Sequence, residues 1–404
     1  MPAASSAHAR HIIYLDNAAT TPLCEEAAQA MRPYMTPGIE GTFGNANSLH
    51  AIGRDAFSAL EEARASVTRA LRAQRPDEIA FTSGATESDN AALIGIAVAA
   101  REKARLKGGL STGGRIAITR IEHDAVLNAT RLLKDLGFAI DFIDNDRNGR
   151  ITLDTLAAAL HDDTLLASVM TANNEVGTVQ PVKELAACAH EHGVLFHTDA
   201  VQALGKIEVD LSGSGVDAAS FSAHKVRGPK GVGVLYLKAG TPFRPYMAGG
   251  GQERGLRSGT QNVAGAAGCA AAIARAVERR EAYANVTKPV RDYLYTRLCE
   301  LPKVAPSVSV EPGSDDFLPN IVNVCVKGCE SQTLIMQLDM RGFCISGGSA
   351  CSSNSLDPSH VLSALSIPRN LAQGSLRISL GEDASIQQAD LFIEAFKEVV
   401  DAWS

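Results

Sequence analysis

The sequence predicts an α/β fold: a mainly parallel sheet covered by helices on both faces, with a smaller α+β domain beside it. Three observations carry this. Between residues 115 and 197, short apolar runs alternate with amphipathic stretches, the rhythm of strand–helix–strand units with buried parallel strands. The chain has 404 residues, 45% of them hydrophobic, which is ample for two cores. An alanine-rich stretch over 263–282 turns charged at Glu278-Arg-Arg-Glu281 and reads as the connector to a second domain.

The totals exclude several function classes. The formal net charge is −7 and no basic block occurs, so nucleic-acid binding has no electrostatic support. The first eleven residues hold no signal-peptide core, and no segment is apolar enough to span a membrane. A reducing cytoplasm is the expected compartment. Eight cysteines are present, none in a CxxC pair and none with zinc spacing. Cys188 and Cys269 lie in alanine-rich helical patterns, as small hydrophobes do. Cys325 and Cys329 flank the end of an apolar run, and no disulfide is expected there.

In chain order, Tyr14-Leu-Asp-Asn-Ala-Ala-Thr-Thr-Pro22 passes from an apolar run to a polar loop before a helix. Gly41-Thr-Phe-Gly-Asn-Ala-Asn-Ser-Leu-His50 is too polar for a core and reads as a linker or a cleft lining. Residues 57–73 form an amphipathic helix. A strand then ends at Thr82-Ser83-Gly84, and a helix starts at Ala85-Thr86 and runs to 100. Free first-turn amides, the glycine and the Thr86 hydroxyl make a phosphate cradle, although an ordinary Ser/Thr cap looks the same.

The alternation follows. Strands are expected at 115–119, 139–143, 165–170 and 194–197, and helices at 124–136, 153–160 and 182–192. Ligands of such sheets sit beyond the carboxyl ends of the strands. Four polar clusters fall there: Arg120-Ile-Glu-His123, Thr171-Ala-Asn-Asn-Glu-Val-Gly177, His197-Thr-Asp199-Ala-Val-Gln202 and Ser222-Ala-His224-Lys225. Each residue alone is an ordinary loop residue. Four clusters on one edge of one sheet read as a site.

The last cluster is the centre. An apolar run ends at Lys225, a turn with Gly228 and Pro229 follows, and a second apolar run begins. A lysine there is either a surface residue at a hairpin tip or a Schiff-base lysine. With Ser222 and His224 beside it, the lysine suits an aldehyde cofactor carrying a phosphate, pyridoxal phosphate (PLP). That cofactor needs an anion at its ring nitrogen, which Asp199 supplies. It needs a flat partner over its ring, which His123 supplies, and an amide donor to its phenolic oxygen, which Gln202 supplies. Its phosphate would take Thr86, Ser222, His224 and the helix-start amides.

Residues 249–262 form a glycine-rich polar segment in which Arg254, Arg257 and Thr260 suit an anion-contacting loop. The second domain is expected to hold strands at 308–310, 321–326 and 343–346 and a helix at 331–340. Gly347-Gly-Ser-Ala-Cys351-Ser-Ser-Asn-Ser follows. Cys351 lacks the apolar neighbours of a buried cysteine and reads as a reactive nucleophile, whereas Cys344 sits in an apolar strand and reads as inert. Arg377, on a strand over 375–381, is either a bidentate carboxylate clamp or an exposed strand position. A helix over 386–402 closes the chain. The expected domains are 15–265, and 1–14 with 266–404, the latter carrying the cysteine loop at about 346–358.

These motifs together resemble the class V aminotransferase-like, fold-type I PLP enzymes, and within them the NifS/IscS-type cysteine desulfurases. The matching segments are 14–22, 44–50, 82–90, 122–123, 173–180, 197–202, 222–225 with 228–233, 254–260, 348–351 and 377–381, in order along nearly the whole chain. The resemblance implies a large domain with a seven-stranded, mainly parallel sheet and a smaller α+β domain. It implies that Lys225 holds PLP and that Ala85, Thr86, Ser222 and His224 bind its phosphate, with Thr260 supplied by the other subunit of a homodimer. Asp199 would pair the ring nitrogen, Asn174 and Gln202 would contact the ring-oxygen side, and His123 would stack on the ring and move protons. Arg377 and Asn174 would hold the carboxylate of L-cysteine. Cys351 would take the sulfur as a persulfide, releasing alanine, and pass it to a sulfur acceptor or iron–sulfur scaffold protein. No stable metal is implied; Cys351 is a candidate transient iron–sulfur ligand. Ala223 stands where some members have glycine. The chain ends at Trp403-Ser404, soon after its last helix, which leans towards the NifS-like branch.

Three competing readings remain at this point. A class V aminotransferase needs no thiol such as Cys351. A selenocysteine lyase would share most of the site. A catalytically idle binding protein of the same fold would have no reason to keep Lys225, Asp199, His123 and Cys351 together. A nicotinamide enzyme is disfavoured because no GxGxxG sits at a strand-to-helix turn.

Overall fold

The computed structural model describes residues 12–38, 42–106, 108, 113–348 and 358–402. Cys351 and the centre of its segment lie outside the described residues. The chain divides into two compact units, one of Thr20–Asn173 with Thr178–Glu281, the other of Met1–Ala19, Asn174–Gly177 and Ala282–Ser404.

Numbered in chain order, the elements begin with β1 (Ile13–Tyr14), α1 (Glu25–Met31), α2 (Ala51–Ala70), β2 (Ile79–Thr82), α3 (Ala85–Leu106), β3 (Arg115–Thr119), α4 (Asp124–Asp135) and β4 (Ala139–Ile143). They continue with α5 (Leu153–Ala159), β5 (Thr164–Ser168), α6 (Val182–Glu191), β6 (Leu195–Asp199), α7 (Leu211–Ser214), β7 (Ala218–Ser222), β8 (Gly233–Leu237) and α8 (Val263–Glu278). The remainder are α9 (Arg280–Cys299), β9 (Val304–Pro306), β10 (Ile321–Val326), α10 (Ser331–Asp339), β11 (Phe343–Cys344), α11 (His360–Ala364), α12 (Arg369–Ala372), β12 (Ser375–Ser379) and α13 (Ile386–Asp401).

The larger unit is built on a seven-stranded sheet in the order β2-β8-β7-β6-β5-β3-β4. Pairing is parallel from β4 through β7. β8 returns antiparallel to β7, and β2 is antiparallel to β8. The expected α/β fold is therefore present, with an antiparallel edge that the short corner after Lys225 dictates, because so few residues cannot make a parallel crossover. Ile116, Ile118, Leu166 and Leu235 are buried against Leu93, Ile96 and Ala97 of α3 and Val126 and Leu133 of α4.

The smaller unit holds an antiparallel sheet, β12-β10-β9, and a parallel pair, β1-β11. Leu294 of α9, Val322 and Val324 of β10, Leu338 of α10 and Phe392 and Phe396 of α13 form its core.

Two expectations change. The larger unit extends to Glu281 rather than 265, and the smaller begins with residues up to Ala19 rather than 14. The reason is α8, which packs on α1 and α2 and so belongs to the larger unit; the stretch taken as one connector helix is two helices, α8 and α9. The strand expected at 308–310 is instead β9, which pairs Val304–Pro306 with Val324–Val326 of β10. No helix among the described residues is long and apolar enough to cross a membrane.

Candidate active site

The carboxyl ends of β6 and β7 build the centre of the larger unit. β6 ends at Asp199, whose register partner on β7 is Ser220. β7 ends at Ser222, and a single 3-10 turn, Ala223–Lys225, carries the lysine off the sheet. The corner is tied down twice. Gly228 N–H donates to the Ala223 carbonyl at 2.8 Å. Thr21 binds it from the side: its hydroxyl donates to the His224 carbonyl at 2.8 Å and accepts from Arg227 N–H at 2.8 Å. His224 Nδ1 lies 3.1 Å from Thr20 Oγ1. Lys225 is half-buried.

The start of α3 lies across β8 from this corner. Ser222 pairs with Gly233 in the antiparallel ladder. A Cβ on Gly233 would stand 2.6 Å from the Gly84 backbone and 2.8 Å from the Phe221 carbonyl, so only glycine lets the β2–α3 turn come this close. The first-turn amides of α3 and the exposed Thr86 are thereby brought to the end of the sheet that carries Ser222 and His224.

His123 follows β3 and caps α4, its Nδ1 accepting from Ala125 N–H at 3.1 Å. The ordinary capping reading of this residue therefore holds, and it fixes the imidazole: Nδ1 is the acceptor, so the ring proton of the neutral form is on Nε2. Asp199 Oδ1 accepts from Val201 N–H at 2.9 Å. Burial pushes the Asp199 carboxyl up, and the nearby His123 and Lys225 charges oppose that shift. Lys225 and His123 are thus each within electrostatic reach of Asp199. Gln202, on the turn after β6, is also buried.

The surroundings are starved of solvent. Burial, aided by Lys225, Lys230 and Lys206, pushes the His224 imidazole down to about 4, which leaves it neutral at neutral pH. Lys206 is buried with no hydrogen-bond partner on Nζ among the described residues, and burial, then Lys225, brings its amine down to about 7. Below Asp199 on the same strand, His197 is fully buried, with Nδ1 2.9 Å from Ser168 Oγ and Nε2 3.0 Å from Ser220 Oγ. Burial pushes it down to about 3. Asp89 of α3 stands 3.7 Å from His197 Nε2, a distance that would suit an ion pair. Burial raises Asp89 well above the usual carboxylate range and lowers His197, so both shifts disfavour an ion pair at this contact.

The smaller unit holds the other expected site residues. Arg377, on β12, is 1% exposed. Its Nη1 donates to the Asn174 carbonyl at 2.9 Å and its Nη2 to Asp16 Oδ1 at 2.9 Å, while its buried Nε has no partner among the described residues. It is thus an inward position of its strand, and Asn174 meets it through the backbone. A Cβ on Gly347 would lie 2.0 Å from Ser331 Oγ, a clash that rotation of that hydroxyl can relieve. Cys344, Cys325 and Cys329 are free thiols, and burial raises those of Cys344 and Cys325.

The 249–262 segment departs from expectation. Arg254 and Arg257 do not offer themselves to a ligand: Arg254 pairs with Glu61 at 2.5 Å and Arg257 with Glu87 at 2.8 Å. Carboxylates of α2 and α3 neutralise them and, with the buried Arg64–Glu253 pair at 2.7 Å, anchor the segment. Thr260 is left exposed. The sequence reading assigned no role to Asp16, Asp89, Glu122, His197 or Lys206. All lie in or beside these motifs; burial marks Asp89, Glu122, His197 and Lys206, and the bond to Arg377 marks Asp16.

A family model, aminotransferase class-V, matches residues 13–392. Enzymes of this family use PLP. A cysteine desulfurase IscS of Dictyoglomus turgidum is 42% identical over 390 residues, 96% of this chain and 94% of that protein. A solved NifS-like protein superposes with a TM-score of 0.86 at 37% identity, covering 97% of this chain and all of the other. The structure of SspA in complex with cysteine superposes with a TM-score of 0.74 at 31% identity, covering 91% of this chain and 98% of that one. The lysine corner, the buried aspartate and the seven-stranded sheet are accounted for together: the chain belongs to the class-V aminotransferase family, and its relatives there include the cysteine desulfurases.

Proposed function

We propose that the protein is a PLP-dependent cysteine desulfurase, acting in the cytoplasm as a homodimer. It would convert L-cysteine to L-alanine and carry the sulfur on Cys351 as a persulfide for a sulfur acceptor or iron–sulfur scaffold protein. The observation that carries this reading is the convergence of Lys225, Asp199 and His123 at the carboxyl ends of the central strands.

The residues present fit the cofactor. First-turn amides of α3, hydroxyls of Thr86 and Ser222 and the His224 ring are the donors a phosphate needs, with Ala85 at the helix start and Thr260 of a second subunit completing the set. Lys225 is the amine for the aldehyde, and Gln202, with Asn174, suits the ring-oxygen side. When bound, PLP supplies an electron sink that makes the substrate Cα–H acidic and its Cβ–S bond cleavable. Asp199 would pair with the ring nitrogen and keep it protonated. His123 would stack on the ring, with its own proton on Nε2. Lys225 Nζ would take the proton from the substrate Cα. Arg377, with Asn174, would hold the substrate carboxylate. Cys351, as thiolate, attacks the substrate sulfur. One carbon–sulfur bond breaks and one sulfur–sulfur bond forms. The β-carbon keeps the electron pair and gains a proton, so cysteine and a thiol become alanine and a persulfide with no external oxidant.

The test is a paired assay of the wild type, Cys351→Ala and Lys225→Ala with L-cysteine and a reductant. Equal sulfide and alanine from the wild type are expected. Cys351→Ala should keep the visible cofactor band and lose turnover, and Lys225→Ala should lose the band. Equal turnover with and without Cys351 would instead indicate a lyase or an aminotransferase.

A further inference from the structure

Glu122 stands beside His123 and is fully buried. Its Oε1 accepts two hydrogen bonds, from the Thr119 hydroxyl at 2.9 Å and from Met170 N–H at 2.8 Å. Beside it, Asn173 Nδ2 donates to the Ile121 carbonyl at 2.9 Å. These bonds join the segment leaving β3 to the segment leaving β5. His123 is the next residue, held on its other side by its cap on α4. The imidazole is therefore fixed between Glu122 and the helix start.

The charge around Glu122 points the same way. Two other buried carboxyls belong to this interior: Asp199 of β6 acts electrostatically on both Glu122 and Asp89 of α3, and Glu122 acts on Asp89. Three adjacent buried carboxylates cannot all be ionised. Asp199 is the one whose ionised form His123 and Lys225 favour. Burial first, and the Asp199 charge second, push Glu122 up to about 8.

We propose that Glu122 is a positioning residue of the cofactor site: through the bonds its carboxyl oxygen accepts from Thr119 and Met170, it pins the segment that carries His123 against the segment leaving β5. This rests on the PLP reading above. A neutral acid and a glutamine are near-isosteres, and both keep a carbonyl oxygen for Thr119 and Met170. An alanine keeps neither bond.

The experiment compares holoenzymes of the wild type, Glu122→Gln, Glu122→Ala and Thr119→Val. The readouts at pH 7 are the visible band, its induced circular dichroism, and kcat against KM. Glu122→Gln should keep the band and its dichroism. Glu122→Ala should lose about half or more of the dichroism and lower kcat about 10-fold, with KM changed less than about 3-fold. Thr119→Val, which removes one donor at constant shape, should lower the dichroism part-way, and it decides the matter if Glu122→Ala does not fold. Two results overturn the proposal: glutamine as damaging as alanine, which would mean an ionised Glu122, or wild-type dichroism in both Glu122→Ala and Thr119→Val. A wild type that takes up no PLP defeats the cofactor reading itself and the proposal with it. A normal wild-type band that Lys225→Ala abolishes, with indifferent Glu122 variants, defeats the proposal alone.

Discussion

Arg377 Nη2 donates to Asp16 Oδ1 across 2.9 Å, and the second oxygen of Asp16 accepts the Ser346 hydroxyl at 2.7 Å. The guanidinium is charge-compensated and oriented before any substrate arrives. Its Nη1 is held by the Asn174 carbonyl, while its buried Nε has no partner among the described residues. A lysine has one point charge and cannot keep both bonds while presenting a planar fork. We expect Arg377→Lys to raise KM for L-cysteine about 10-fold or more, with a smaller loss in kcat. Steady-state kinetics check this; an unchanged KM would remove Arg377 from carboxylate binding.

Gly233 is the point where β8 passes the β2–α3 turn. The atoms that a Cβ would strike at 2.6 and 2.8 Å are backbone, which cannot step aside as a side chain can. Gly233→Ala should therefore destabilise by about 1–3 kcal/mol and weaken PLP binding, since the first turn of α3 must shift. Thermal melts and cofactor titration measure both. Destabilisation with unchanged cofactor affinity would show that the turn moves without disturbing the cradle.

The strand–helix alternation made the sheet legible, because buried parallel strands need continuous apolar runs and their ligands collect at one edge. Lys225, Asp199 and His123 could be read from that edge alone. The antiparallel return of β8 could also have been read, from the shortness of the corner after Lys225. The assignment of α8 could not. Its alanine-rich surface fits either unit, and only its packing on α1 and α2 decides. Arg254 and Arg257 looked like ligand contacts because their partners, Glu61 and Glu87, are far away in sequence. For the same reason Asp16 went unassigned, since its partner is Arg377.

His123 has two separable duties. It caps α4 through Nδ1, and asparagine can do that as well. It also places an aromatic ring, which asparagine cannot. His123→Ala should cost about 1 kcal/mol of stability, and His123→Asn much less. Both should lower kcat by a similar, larger factor, about 100-fold. Equal activity in the asparagine variant and the wild type would reduce His123 to a helix cap.

His197 gives the stability of the larger unit a pH dependence with a definite sign. Its folded value, about 3, lies below the ordinary 6.5, because burial opposes the charged ring and the two flanking serines suit the neutral one. A depressed group stabilises fully above its unfolded value and loses that contribution as pH falls towards its folded value. The His197 contribution should therefore fall from about pH 6.5 downward, by roughly a kcal/mol per pH unit. Most carboxylates have not begun to titrate at the upper end of that window. Burial raises Glu122 to about 8, which works in the opposite sense: its contribution is full below 4.5 and is lost as pH rises through 8. His197→Gln keeps two polar contacts but cannot take a proton. Between pH 6.5 and 5.5 the urea midpoint of the wild type should fall relative to that of His197→Gln, in which the opposing Glu122 contribution remains and the His197 contribution is gone. Parallel changes in the two proteins would mean that His197 contributes no pH dependence.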